Sequence, residues 1–277
     1  MSSAAVWLLL LWFAWTSATF LWAIASKRLL SEDGLSPFEV TAAELTIGSC
    51  AVLAHAMASS WRKQPHSSSL QLVAAALASH PGRAWLLAAL HAAGSWATLH
   101  AMGTLTVPLV QSMKASETLM TAAGCMALLG GAYSPNPLQA LLLVGITVGL
   151  GVATGASLVW ERWSVVAVAL AGSLCVVLRN VLSKRFPLEG YALNAWLTVG
   201  GALLCMPVHL TTLRTTSLLG SEVQLVVYTG MLHFTYNALS CVVLARVTRP
   251  TTHSVMKAAQ RLAVVVAAMV YFRQDTR

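Results

Sequence analysis

Charge is what this sequence has least of: 17 Lys and Arg and 9 Asp and Glu in 277 residues, 9% in all. A soluble domain carries about 25%. A chain this poor in charge cannot clothe a globule in solvated side chains, whereas 57% hydrophobic residues and a mean hydropathy of +0.71 suit one surrounded by lipid. Paired cysteines are missing too. Cys50, Cys125, Cys175, Cys205 and Cys241 each sit inside an apolar run with no C-x-x-C spacing, which excludes a disulfide framework and a zinc knuckle and leaves small thiols packing between helices. The 8 histidines make no H-E-x-x-H pattern, and no P-loop or G-x-S-x-G elbow occurs. An enzyme built on those motifs is excluded, and no metal or cofactor is expected. The net charge of +8 is scattered through loops and apolar runs rather than gathered on one face. That disfavours nucleic acid and leaves an anionic small molecule as the partner, beside the lipid bilayer itself.

What is present is a series of apolar runs long enough to cross a bilayer, which takes about 20 residues as a helix. They cover 6–26, 37–57, 84–102, 106–129, 137–158, 164–182, 192–213, 223–245 and 251–272. The expected fold is therefore an all-α membrane protein of about nine spans with short connections. The longest connection, 59–83, has a weakly apolar centre at 70–78 that reads as an interfacial helix. The first run is too long for a signal peptide and no A-x-A site follows it; no Arg- and Ser-rich leader precedes it. The Lys and Arg residues of the connections favour the N-terminus on the positive side of the membrane.

Apart from Glu39 at the very start of the second run, the charged residues inside these runs are Glu44, Lys114, Glu117, Arg179, Lys257 and Arg261. A charge at bilayer depth costs about 2.5–3.5 kcal/mol on insertion scales, so such residues face a cavity or a partner. Basic members outnumber acidic ones, and surplus positive charge in a cavity suits an anion. Lys114 and Glu117 are three apart and Lys257 and Arg261 four apart, so each pair shares a helix face. Two readings of these residues stay open, pairing that only fixes helix packing or a substrate site. For Lys257, near a helix start, a third is snorkelling to the interface.

A weak repeat favours the substrate site. The first run ends S-K-R-L-L at Ser26–Leu30 and the sixth ends S-K-R-F at Ser183–Phe186; the fourth holds P-L-V-Q-S-M-K-A-S at Pro108–Ser116 and the ninth P-T-T-H-S-V-M-K-A-A at Pro250–Ala259. A five-helix unit used twice has its copies in opposite orientations, a transporter architecture with its site between the halves near the midplane. The expected halves are 1–160, helices one to five, and 161–277, helices six to nine, with a tenth span not found before Arg277.

Phe234–Arg261, F-T-Y-N-A-L-S-C-V-V-L-A-R-V-T-R-P-T-T-H-S-V-M-K-A-A-Q-R, resembles the C-terminal signature of the triose-phosphate translocator family, which reads roughly Y-N-Q-x-S-x-x-x-L-x-x-V-S-P-V-T-H-S-V-G-N-x-x-K-R. S-M-K-A-S-E at Ser112–Glu117 is similar to the family's T-I-K-A-M-E, and L-R-N-V-L-S-K-R-F at Leu178–Phe186 to its S-R-N-V-L-S-K-K-F. The resemblance implies the ten-helix drug/metabolite transporter fold, two inverted five-helix repeats with about nine of the ten helices present, and phosphate-coupled antiport. Carried over residue by residue, it implies that Lys114, Arg261, Tyr236 and Thr98 bind substrate and that Glu117 and Arg179 form a pair closing the cavity. The family's K-R is Gln260-Arg261 here; Lys257, one turn from Arg261, is the candidate replacement.

The expected function is exchange of a phosphorylated sugar or C3 compound for phosphate by alternating access, with the plastid inner envelope as first location. A Golgi nucleotide-sugar exchanger and a non-transporting membrane protein are the alternatives.

Overall fold

The computed structural model describes residues 3–61, 69–130, 163–212, 220–247 and 249–271, with isolated positions between 137 and 149. Among the described residues the chain is helical, with no strand: α1 (Ser3–Ser31), α2 (Pro37–Trp61), α3 (Ser69–Ser79), α4 (Pro81–Thr104), α5 (Val107–Met113), α6 (Glu117–Leu129), α7 (Trp163–Ser183), α8 (Gly190–Thr212), α9 (Gly220–Arg246) and α10 (Pro250–Tyr271). The expected span at 137–158 lies largely outside the described residues. The helix expected at 70–78 is α3, and it packs on α8 and α4.

The helix starts are legible in the sequence. Ser36 and Glu39 form a reciprocal capping box at the head of α2, Glu39 Oε2 accepting from the Ser36 N–H at 2.8 Å and Ser36 Oγ from the Glu39 N–H at 3.2 Å. Proline opens α2, α4 and α10, where its missing N–H costs no helical bond.

Five helices are long and apolar enough to cross a membrane by length and composition: Val6–Ser31, Pro37–Ser59, Trp163–Ser183, Gly190–Val208 and Pro250–Tyr271. The runs expected at 84–102, 106–129 and 223–245 fall short of that standard. The second of them is interrupted by a 3-10 turn, Lys114–Ser116, between α5 and α6. The other two are α4 and α9, which carry polar side chains inward, among them His91, Ser95 and Thr98 on α4 and His233, Asn237 and Ser240 on α9, all buried. Both pack on several helices, α4 on α7, α8 and α2, and α9 on α1, α2 and α8, while their outer faces expose Trp85, Leu86 and Trp96 and Val227, Tyr228 and Met231.

Lys27, just before the end of α1, donates to the carbonyls of Met102 (2.8 Å) and Leu105 (3.2 Å) at the end of α4. Lys184, just after α7, donates to the carbonyls of Leu244 (2.6 Å) and Val247 (2.9 Å) at the end of α9. Both lysines belong to the S-K-R echoes, and both satisfy helix-terminal carbonyls left without intrahelical partners. The thiols of Cys125, Cys205 and Cys241 are buried between helices, Cys175 is half-buried and Cys50 is exposed; all are free.

Candidate anion site

One cavity gathers residues from six helices and the 3-10 turn. Thr98 enters it from α4, Lys114 from the turn, Arg179 from α7, Tyr236 from α9, and Lys257 and Arg261 from α10. Of the residues expected to bind substrate, none is left out of this lining. The turn matters locally: a tightened stretch inside a span reorients the side chains leaving it, and such stretches often mark functional positions. Here it delivers Lys114 to the Thr98 hydroxyl, Nζ donating at 2.6 Å, while Glu117 begins α6 behind it.

Glu117 is the centre of the charge arrangement. Its Oε2 accepts from Arg261 Nη2 at 2.6 Å and from Lys257 Nζ at 2.9 Å, and its Oε1 lies 3.7 Å from Lys114 Nζ. The carboxylate is buried, and the three cations are at most 12% exposed. Lys257 therefore does not snorkel; it turns inward. Gln260 also lines the cavity but is tied to its α1 wall, its Nε2 donating to Thr19 Oγ1 (2.5 Å) and the Trp15 carbonyl (3.3 Å). Arg261 Nη1 is buried with no hydrogen-bond partner among the described residues.

Glu117 and Arg179, expected as a pair, hold different partners in this structure. Arg179 Nη1 lies 2.7 Å from His91 Nδ1, and its Nε and Nη2 donate to the neighbouring Asn180 Oδ1 at 3.2 and 2.9 Å. The reason is competition. Three cations already surround the Glu117 carboxylate, and Arg179 on α7 finds its acceptor on α4, the helix α7 packs against.

Four cationic side chains thus line the cavity, and among the described residues no acid does, Glu117 standing in the wall behind. Removing two charges from water costs more than their attraction returns unless further bonds satisfy them. A cluster with three cations on one carboxylate leaves positive charge and at least one guanidinium N–H unspent. This arrangement can hold a tetrahedral dianion through a fork of N–H donors from Arg261, ammonium groups and hydroxyls.

Sequence reasoning passed over His91 and His233, whose rings stack at 5.8 Å beside the cavity, and Gln111, which lines it. A signal existed: two histidines and a glutamine well inside runs apolar enough to be spans. His253 packs at the start of α10, its ring stacked on Trp15 at 5.3 Å with Ser240 Oγ 3.2 Å from Nε2.

The profile of the Triose-phosphate Transporter family matches residues 5–277. The rice (Oryza sativa subsp. japonica) chloroplast proteins phosphoenolpyruvate/phosphate translocator 1 and 3 are 32% identical over 206 residues and 29% over 277, covering 68% and 94% of this chain. A triose phosphate/phosphate translocator of non-green plastids from Brassica oleracea var. botrytis is 26% identical over 95% of this chain. The chain spans 49%, 66% and 66% of the lengths of these three relatives. A solved crystal structure superposes with a TM-score of 0.56 at 18% identity, over 98% of this chain and 97% of that one, and so shares its fold.

Proposed function

Because this chain belongs to the Triose-phosphate Transporter family, whose members are translocators rather than enzymes, we propose that it is an antiporter exchanging a phosphorylated sugar or C3 compound for phosphate by alternating access. The chain is a multi-pass plastid-membrane protein, and the inner envelope is the membrane in which such exchange would serve; the relatives' chloroplast location favours this over the Golgi.

The observation that carries the reading is the cluster of Lys114, Lys257 and Arg261 on the single carboxylate of Glu117, with Arg261 Nη1 unpartnered at the cavity. Arg261 clamps the phosphate, Lys257 and Lys114 add point charges, and the hydroxyls of Thr98 and Tyr236 accept and donate around it. Lys257 stands in for the missing lysine beside Arg261, which favours phosphate over a nucleotide sugar as the exchanged anion. Glu117 holds the cations until substrate takes them over, and Arg179 closes the cavity from α7. The halves 1–160 and 161–277 act as inverted repeats, a reading supported by the matching lysine caps of Lys27 and Lys184.

The test is counter-exchange in proteoliposomes, with phosphate inside and labelled phosphate outside. Arg261→Ala is expected to lower exchange at subsaturating phosphate by at least about 30-fold, the equivalent of a lost charge-assisted bond of roughly 2 kcal/mol. Exchange as fast as the parent's would remove Arg261 from the site and with it the reading.

A further inference from the structure

The anion site leaves one buried acid unused. Glu44 lies within α2 at 1% exposure. Its Oε1 accepts from Trp22 Nε1 at 2.7 Å and Ser26 Oγ at 3.3 Å, both from α1. Its Oε2 has no hydrogen bond among the described residues and faces His233 Nε2 of α9 at 3.7 Å. Among the described residues no Lys or Arg comes within 4.0 Å of it. A carboxylate at bilayer depth without a fixed cation is stable only if something mobile neutralises it, and nothing larger than a proton fits between two groups 3.7 Å apart.

The neighbours determine where that proton can reside. The Arg179 guanidinium can only donate, so His91 Nδ1, 2.7 Å from it, must accept. His91 is thereby held neutral with its own proton on Nε2, and cannot take a second without losing Arg179. His233, stacked on His91 at 5.8 Å, has no such restraint: its Nδ1 has no partner among the described residues, and its Nε2 lies 3.4 Å from Ser95 Oγ, a hydroxyl that lines the anion cavity. Tyr236 lies against the His233 ring at 5.3 Å and also lines the cavity. From α8, the remaining helix packed on α2, the titratable side chains are the buried thiol of Cys205, clustered with Ala42 and Leu45, and Tyr191, against His55 about three turns further along α2.

We propose that Glu44 and His233 hold one exchangeable proton, reached from the cavity through Ser95, and that this proton travels with the anion. With the proton bound the pair is neutral, as acid and imidazole or as carboxylate and imidazolium. On release it returns to cavity water and the pair carries one negative charge. The coupling follows from charge. Lys114 and Arg179 line the cavity beside the pair and oppose a proton on His233; a bound dianion cancels their field, so anion and proton each favour the other's binding, as linkage requires. The proposal rests on the transport reading above, and the experiment separates the two.

Proteoliposomes preloaded with phosphate and a pH-sensitive dye are held at zero membrane potential, and labelled phosphate uptake is measured at equal pH and with the outside one pH unit lower. Glu44→Gln keeps the bond from Trp22, because the amide oxygen still accepts. At equal pH, Glu44→Gln is expected to exchange within about threefold of the parent. Under the gradient, the parent is expected to show several-fold faster uptake with dye-reported acidification of the lumen, and the variant only the small response due to phosphate's own titration, which acts on both alike. His233→Gln should behave as Glu44→Gln does. A gradient response equal to the parent's in both variants overturns the proposal. A second readout does not depend on transport: infrared difference spectra between acid and alkaline pH should show a buried carboxylic-acid C=O band that is lost in Glu44→Gln. Persistence of every such band in that variant overturns the proposal, while normal spectra with no phosphate exchange by the parent overturn the transport reading alone.

Discussion

Lys257 and Gln260 lie three residues apart on α10, yet their side chains leave the helix toward different neighbours. Lys257 reaches Glu117, and Gln260 reaches Trp15 and Thr19 on α1. The position that bears a lysine in the family signature is therefore occupied here by a group tying α10 to α1, and the ammonium enters one turn earlier. Lys257→Gln is expected to raise the concentration of phosphate giving half-maximal exchange by about tenfold, equivalent to roughly 1.4 kcal/mol. Gln260→Lys should not lower it, since the new ammonium would meet the Trp15 carbonyl and Thr19 hydroxyl. Dose–response curves of counter-exchange for both variants check the pair, and an affinity gained by Gln260→Lys would move the phosphate site one turn along α10. Glu117 sits differently. Glu117→Ala leaves three buried cations without their carboxylate, and breaking a buried pair costs about 3–5 kcal/mol, so loss of folded protein is the expected result, visible as a lowered melting temperature in detergent.

At the scale of helices, the crossing of α4 and α7 sets the site. A Cβ added at Gly172 would come within 2.5 Å of the Ala97 Cβ, and one at Gly94 within 2.8 Å of Val176 Cγ2. Small residues let the two backbones approach closely, the usual basis of helix association where lipid removes the hydrophobic drive. Thr98 and His91 on α4 and Arg179 on α7 keep their relative positions through that contact. Gly172→Ala must push the helices apart, and overpacking costs about 1–3 kcal/mol. The expected outcome is a lower melting temperature together with weaker exchange; unchanged melting would show that α7 yields without loss. The 3-10 turn at Lys114–Ser116 and the polar interiors of α4 and α9 explain why three runs that read as spans are not uniformly apolar helices. A helix with one face on the cavity carries polar side chains there, as α4 and α9 do with Ser95, Thr98, Asn237 and Ser240, which lowers its mean hydropathy although its outer face stays apolar.

For the whole molecule, the surplus of cations has a consequence for cycling. In the proposed antiport, bound substrate neutralises the cavity charges and lets the site close. With substrate absent, Glu117 offsets only one of the three cations it touches, and closing a low-dielectric shell around the rest is unfavourable by several kcal/mol. Efflux of labelled phosphate into phosphate-free medium is therefore expected to be at least about tenfold slower than exchange, since each 1.36 kcal/mol of added barrier is a factor of ten in rate. Efflux at the exchange rate would show that the unloaded carrier reorients freely and would sink the antiport mechanism.

Composition and spacing by themselves determined that this protein lives in a membrane, because 9% charge cannot solvate a globule, and they singled out Lys114, Glu117, Arg179, Lys257 and Arg261 as the residues on which the proposed function rests, because a charge in lipid must have a reason. They also carried the family, through motifs local to single helices such as Ser112–Glu117 and Leu178–Phe186. Partnership was decided only by the tertiary structure. Lys257 and Arg261 are 140 and 144 residues from Glu117, and His233 is 138 from Ser95. No periodicity within one helix states which face of another it will meet. That is why the expected pair of Glu117 and Arg179 is instead two separate sets of contacts, and why the Glu44–His233 pair, each member an isolated polar residue in its own apolar run, becomes visible only when α1, α2, α4 and α9 are packed together.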